Sequence, residues 1–173
     1  MLLLDHTQIK WLVLHTSASP YGDTNVIDVW HREMGFERCG YHHVICNCYP
    51  SYESWTRKQP ELAYDGLIQE GRSEQFQGAH VKGHNWETIG VCMIGENGQF
   101  SSRQLESAAR LCYKIMDRYS SIAGVMGHYE FPTSKTCPDL DMGYFRQYIL
   151  PAYSPQYLEV SHRISSRHEV DFG

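Results

Sequence analysis

The chain has 173 residues, a length that suits one compact domain with a sizeable core better than two. Hydrophobic residues make up 42% and charged residues 20%, which is typical of a globular protein and argues against an intrinsically disordered one. The formal net charge of −5 gives no reason to expect nucleic acid or an anionic membrane surface as a partner.

The amino end, MLLLDHTQIK, has three leucines before Asp5, fewer than the apolar stretch of about 7–15 residues in a secretory signal. No segment approaches the roughly 20 apolar residues of a membrane-spanning helix, so membrane insertion is not expected. We therefore expect the protein to remain in the cytoplasm until it is released. Because the sequence has no heptad pattern, we also expect a monomer.

The six cysteines are expected to stay reduced, because a cytoplasmic protein rarely forms disulfides. Cys92 lies in an apolar run and Cys112 on the apolar face of a predicted helix, so both are interpreted as small core residues. Cys46 and Cys48 form a C-x-C pair, but without a second pair at zinc spacing this is a weak metal signal. Cys137 differs, since it lies in a predicted loop, two residues after Lys135 and directly before Pro138.

The first predicted elements are a strand and a helix. WLVLH, residues 11–15, is a short apolar run that predicts a buried strand ending in a histidine. After a loop rich in turn formers, a helix is predicted from about Thr24, with Asp23 or Thr24 as its cap. Apolar residues recur there at helical spacing: Val26, Ile27, Val29, Trp30 and Met34.

Three further strands are predicted in residues 40–48 (GYHHVICNC), 66–72 (GLIQEGR) and 88–95 (TIGVCMIG), the last as the central strand. Between the first two lies a polar and aromatic excursion, residues 49–66, with two prolines. A long connection in a compact domain is usually functional or mobile. This excursion could pack on the domain, extend a substrate groove or contact another protein, and the sequence leaves these alternatives open.

The clearest helix is predicted within residues 100–120, where Ser101 and Gln104 fit a capping box. Its apolar face consists of Leu105, Ala108, Leu111, Cys112, Ile115, Met116 and Tyr119.

The last predicted elements are a strand, a helix and a tail. IAGVMGH, residues 122–128, predicts another strand that ends in a histidine. A last helix is predicted from about Asp141 to Pro151, because proline cannot continue a helix. Residues 151–173 are polar and are expected to form a loosely held tail.

This order of elements predicts an α/β fold with a single mixed β-sheet flanked by helices. We expect one domain over residues 1–150, with residues 49–66 as an inserted excursion and residues 151–173 as a C-terminal tail.

Two predicted strands end in His15 and His128, and the loop after the second carries Cys137. Two imidazoles and a thiolate suit zinc, and three protein ligands leave one tetrahedral position open, as in catalytic zinc sites. The spacing alone only suggests a metal site, because a chain with ten histidines contains many groups of three by chance. A lone histidine at a strand end is more often structural than a ligand.

Four segments occur in an order that resembles one family: LVLHTSAS, VWHREMGFERCGYHHVI, QGAHVKGHNWETIGVCMIG and GHYEFPTSKTCPDL. They resemble the type 2 N-acetylmuramoyl-L-alanine amidases, in particular the lysozymes of short-tailed phages, with peptidoglycan recognition proteins as more distant relatives. The likeness covers most of residues 12–150. It implies an amidase-2 fold with one Zn²⁺ ion held by His15, His128 and Cys137, and water as the fourth ligand.

The resemblance also implies roles for other residues. Tyr41 matches an active-site tyrosine, and Lys135 matches a lysine two residues before the ligand cysteine, where its ammonium would stabilise an oxyanion. His80 and Asn85 lie in the loop that lines the substrate cleft in the family, and His31 is a weaker candidate for substrate contact. The segment from His128 to Lys135 is one residue longer than in the phage pattern.

The implied function is zinc-dependent hydrolysis of the amide between N-acetylmuramic acid and L-alanine in peptidoglycan. We expect a phage endolysin that lyses the host cell wall. Two alternatives remain at this stage: a non-catalytic peptidoglycan-binding module, or a regulator that acts by protein contact, such as a phage RNA polymerase inhibitor.

Overall fold

Five strands form one sheet in the computed structural model, which describes residues 1–156. They are β1 (Trp11–Thr16), β2 (His43–Ile45), β3 (Ile68–Glu70), β4 (Thr88–Met93) and β5 (Gly124–Gly127). Their spatial order is β3-β2-β4-β1-β5. The pairs β1·β4, β1·β5 and β2·β4 are parallel, whereas β3 is antiparallel to β2. The predicted single mixed sheet is therefore confirmed.

The helices connect the strands and cover the sheet. They are α1 (Thr24–Glu33), α2 (Tyr52–Thr56), α3 (Ser102–Arg118), α4 (Met142–Tyr144) and α5 (Leu150–Ala152), with a π-helical turn at Phe145–Ile149 between the last two. Single 3-10 turns lie at His6–Gln8, Asn85–Glu87 and His128–Glu130. Among the described residues, no helix combines the length and the apolar character needed to cross a bilayer.

Both predicted helix starts are confirmed by side-chain caps. The Asp23 carboxylate accepts a hydrogen bond from the backbone N–H of Val26 at 2.9 Å, so Asp23 rather than Thr24 caps α1. Ser101 and Gln104 form the predicted capping box at the start of α3. These contacts satisfy amide groups that have no partner inside the helix.

The two faces of β1 have different neighbours. Leu12 and Leu14 belong to the main core, together with apolar residues of α3 such as Ala108 and Ile115. Val13 points to the opposite face, where it packs with Val81. Side chains alternate along a strand, so His15 lies on the same face as Val13 and away from α3.

The structure differs from the predictions at several element ends and within the excursion. β5 ends at Gly127, so His128 opens the following 3-10 turn instead of ending the strand. Pro151 does not stop the last helix but lies in the first turn of α5, where a residue without an amide hydrogen is tolerated. The excursion at 49–66 contains the helix α2. Most of the predicted tail, residues 157–173, lies outside the described residues.

Gln104 ties α3 to the carboxyl ends of two strands. Its side chain is 1% exposed, and its Nε2 donates to the carbonyl oxygens of Ile94 at 2.7 Å and Ile45 at 3.3 Å. Its Oε1 also accepts from the N–H of Ser101. One buried amide thus holds the start of α3 against β2 and β4.

Replacing Gln104 with methionine should lower the free energy of unfolding by about 2 kcal/mol, because the Ile94 carbonyl loses a buried donor. Chemical denaturation of the two proteins measures this difference. Lys114→Met on the exposed face of α3 is the matched control and should change stability by less than about 0.5 kcal/mol. Equal effects of the two substitutions would contradict the role given to Gln104.

Candidate metal centre

The parallel pairing of β1 with β4 and β5 brings the two predicted histidine ligands together. In this register His15 lies opposite Cys92 of β4, and Leu14 lies opposite Gly127 of β5. His128 follows Gly127 directly, so its ring comes to 4.6 Å from the ring of His15, measured between centroids. Both histidines are buried. The carboxyl edge of the sheet therefore places two imidazoles side by side.

Cys137 reaches the same point from the loop after β5. Its Sγ accepts a hydrogen bond from the backbone N–H of Thr16 at 3.3 Å and lies 3.7 Å from Nδ1 of His15. Its carbonyl oxygen accepts from the N–H of Tyr129 at 2.8 Å, which fastens the loop to the turn that carries His128. Ligand atoms of His15, His128 and Cys137 all lie within 4.8 Å of one another.

The donor set and its spacing fit a zinc ion. Zinc–nitrogen bonds of about 2.0–2.1 Å and zinc–sulfur bonds of about 2.3 Å place tetrahedral nitrogen and sulfur ligands about 3.6 Å apart. The distance between Nδ1 of His15 and Sγ of Cys137, 3.7 Å, agrees with this value. The three residues would therefore need little rearrangement to hold the ion.

Burial also places the histidines in the ionisation state that a metal requires. Burial holds the pKa of His15 well below its usual value, and the pKa of His128 is lowered for the same reason, with the charge of Lys135 adding to the effect. Both imidazoles are then neutral. Burial raises the pKa of Cys137 to about 11, so the thiol keeps its proton until a divalent cation displaces it.

The turn that carries His128 is held by an ion pair to Arg146 of the π-helical turn. Glu130 accepts a hydrogen bond from the N–H of Gly127 at 2.7 Å. The same carboxylate makes a two-point contact with Arg146, with nitrogen–oxygen distances of 2.8 and 3.0 Å. A bidentate pair of this kind fixes orientation as well as distance. Sequence reasoning missed both residues, because partners 16 positions apart leave no local pattern.

The two predicted catalytic residues lie close to this cluster. The ring of Tyr41 is 5.0 Å from that of His15, and burial raises its pKa well above the usual value, so its hydroxyl remains a hydrogen-bond donor. Lys135 is exposed, and its charge lowers the pKa of both His128 and His15. A positive charge therefore acts on the cluster from the solvent side.

The three residues predicted to contact substrate have structural contacts of their own. His31 of α1 is buried, accepts a hydrogen bond from the N–H of Gly40 at 2.8 Å and packs against Tyr41. Asn85 accepts from the N–H groups of His80 and Val81, both at 2.9 Å. His80 is buried behind His15, with 3.0 Å between the Nδ1 of His80 and the Nε2 of His15. Substrate contact by these residues stays a prediction.

Thr16 also supports the site and was not singled out by the sequence patterns. Its N–H donates to Cys137, and its hydroxyl donates to the carbonyl oxygen of Gly95 at 2.6 Å. The useful group is a backbone amide, which every residue except proline carries. Only the fold reveals which amide faces the sulfur.

Replacing Cys137 with serine should weaken Zn²⁺ binding by more than about 100-fold, because the site loses its only thiolate. Competition with a chromogenic chelator measures the affinity of the purified protein. Cys48→Ser removes a partly exposed thiol outside the cluster and should keep the wild-type affinity. Unchanged binding in Cys137→Ser, or an equal loss in both variants, would contradict the proposed ligand set.

Comparison with known protein families gives a match to the model described as N-acetylmuramoyl-L-alanine amidase, over residues 5–139. The chain is 29% identical to the endolysin of Escherichia phage T7 over 141 residues, which cover 76% of this chain and 81% of the relative. It is 28% identical to the endolysin of Enterobacteria phage T3, with the same coverage of both chains.

Solved structures share the fold at lower sequence identity. The N-acetylmuramoyl-L-alanine amidase LysC from Clostridium intestinale superposes with a TM-score of 0.67 at 22% identity, covering 83% of this chain and 87% of that one. PGRP-SA of the bumblebee gives a TM-score of 0.66 at 19% identity, covering 86% of this chain and 87% of that one. These likenesses agree with the predicted amidase-2 fold.

Proposed function

The chain belongs to the N-acetylmuramoyl-L-alanine amidase family, and from this premise we propose that it hydrolyses peptidoglycan with a zinc ion held by His15, His128 and Cys137. The bond cleaved is the amide between N-acetylmuramic acid and the L-alanine that begins the stem peptide. The observation that carries the proposal is the convergence of two imidazoles and one thiol, with all three ligand atoms within 4.8 Å.

A zinc ion at this position would supply a Lewis acid that activates water and polarises the amide carbonyl. The protein's own groups have separate tasks. Because Thr16 donates its N–H to the sulfur of Cys137, the loop keeps its place relative to β1. The carbonyl oxygen of Cys137 accepts a hydrogen bond from the N–H of Tyr129, which fixes the other side of the loop.

Tyr41 and Lys135 are proposed to stabilise the transition state. Attack on an amide carbonyl moves negative charge onto its oxygen, so donors and cations that face this oxygen lower the barrier. The Tyr41 hydroxyl keeps its proton near neutral pH, since burial raises its pKa, and it can donate to that oxygen. Lys135 adds a positive charge at the open side, where solvent screens its effect.

The biological role proposed is lysis of a bacterial cell wall at the end of a phage infection, which the similarity to two phage endolysins supports. An enzyme with this role would wait in the cytoplasm and reach the wall when another protein opens the membrane. The His–His–Cys cluster speaks against a module that only binds peptidoglycan.

The activity is tested by incubating purified peptidoglycan with the protein and identifying the products by mass spectrometry. We expect free stem peptides that begin with L-alanine. They should disappear when a chelator removes the metal and return when Zn²⁺ is added. Intact muropeptides in the presence of bound Zn²⁺ would contradict the proposed function.

Kinetic measurements distinguish the contributions of Tyr41 and Lys135 to the rate. Tyr41→Phe should lower kcat by about 10²–10³-fold with little change in KM, because it removes a donor used in the transition state. Lys135→Ala should cost only about tenfold, since an exposed charge is screened, and the loss should shrink as salt rises. Lys135→Arg keeps the charge and should restore most of the rate.

The matched control is Lys114→Ala, an exposed lysine on α3 that should leave kcat and KM unchanged. If Tyr41→Phe behaves like this control, Tyr41 is not a catalytic residue. A loss in Lys135→Ala that does not depend on salt would contradict the electrostatic role of Lys135.

A further inference from the structure

His80 lies behind His15, on the side away from Cys137, and contributes no atom to the cluster of candidate ligands. Its Nδ1 is 3.0 Å from the Nε2 of His15, while the Nδ1 of His15 faces the sulfur of Cys137 at 3.7 Å. The two rings meet edge to face, with 5.0 Å between centroids. Two facing ring nitrogens at this distance share one hydrogen, which belongs to one histidine or the other.

The far side of His80 decides where that hydrogen lies. The hydroxyl of Thr88 donates its single hydrogen to the carbonyl oxygen of His84 at 2.8 Å, and a carbonyl can only accept. The Nε2 of His80 lies 3.4 Å from the same hydroxyl oxygen. Because that hydroxyl has no second hydrogen to offer, the Nε2 of His80 must be the donor in this contact.

The assignment then passes along the chain of contacts. A neutral imidazole that carries its hydrogen on Nε2 has a lone pair on Nδ1, so His80 accepts from the Nε2–H of His15. His15 in turn keeps its own lone pair on Nδ1, the atom that faces Cys137. The reverse arrangement would place a hydrogen on Nδ1 of His15, where it would block metal binding.

Packing around His80 holds the ring in this position. A Cβ atom on Gly90 of β4 would lie 2.7 Å from the Cγ, Cδ2 and Nδ1 atoms of the His80 ring, so only glycine leaves room for it. The His80 ring also contacts the ring of His42, with 5.6 Å between the two centroids. The backbone of His80 is fixed by Asn85, whose side-chain oxygen accepts a hydrogen bond from the N–H of His80 at 2.9 Å.

We propose that His80 is a positioning residue that holds His15 with its hydrogen on Nε2 and its Nδ1 lone pair directed at the metal centre. The inference rests on the proposed function, because it names the support of one proposed zinc ligand. In metal-binding histidines, the N–H of the second ring nitrogen commonly donates a hydrogen bond to a carboxylate or a carbonyl oxygen. In this protein a neutral histidine takes that place, and Thr88 fixes its tautomer.

Two substitutions of His80 separate hydrogen bonding from packing. Asparagine places an acceptor oxygen at the position of Nδ1, whereas leucine fills space without an acceptor. His80→Leu should weaken Zn²⁺ binding by about 10–100-fold, and His80→Asn should retain most of the wild-type affinity. His6→Leu removes an exposed histidine elsewhere and serves as the matched control. Equal affinities in His80→Leu and the wild type would overturn the proposal, as would equal losses in both His80 variants.

A second readout does not depend on the metal. Nitrogen-15 NMR of the histidine rings in metal-free wild-type protein should show His15 neutral with its hydrogen on Nε2, and His80→Leu should show a mixture of tautomers. If His80→Leu does not fold, Thr88→Val removes the far end of the relay and should produce the same mixture. A wild-type His15 with its hydrogen on Nδ1 would overturn the proposal.

The two readouts also distinguish this proposal from the proposed function. A wild-type protein that binds no Zn²⁺ and releases no stem peptides would contradict the function, while the tautomer of His15 would still test the relay. Normal hydrolysis together with unchanged Zn²⁺ affinity in His80→Leu would contradict the relay alone.

Discussion

The arrangement of the site depends on the parallel pairing of β1 with both of its neighbours, β4 and β5. Parallel strands end at the same edge of a sheet, so residues near the end of β1 and directly after β5 must lie close together. His15 and His128 are placed by this constraint. A fully buried β1 interior, Leu12 to Leu14, keeps the strand from shifting by one residue and turning His15 to the other face.

Burying several imidazoles and a thiol at one point requires that their polar atoms be matched. Each ring nitrogen of His15 and His80 has a polar atom within hydrogen-bonding distance. The two ring nitrogens of His42 make hydrogen bonds to the carbonyl oxygen of Phe76 and the N–H of Gly90. These contacts suit neutral rings, because a buried charge without a partner would be costly. In the same cluster, the ligand atoms of His15, His128 and Cys137 face one another at distances that suit a metal ion.

Local rules predicted the elements well and the support of the site poorly. The Ser101–Gln104 capping box and the apolar run of β1 are short-range patterns, and both were confirmed. Cys137 was recognised through family resemblance, because a loop has no periodicity. Long-range partners such as His80 and His15, 65 residues apart, meet only after the sheet has formed. The predicted end of the last helix at Pro151 was wrong, because the proline lies in the first turn of α5, where proline is tolerated.

The central claim is that His15, His128 and Cys137 together bind one zinc ion. X-ray absorption at the zinc edge measures the ligand atoms and their distances directly in the Zn²⁺-loaded protein. We expect two imidazole nitrogens at about 2.0–2.1 Å and one sulfur at about 2.3 Å, with a fourth ligand of low atomic number such as water oxygen. A spectrum without the sulfur shell, or with two or more sulfurs, would contradict it.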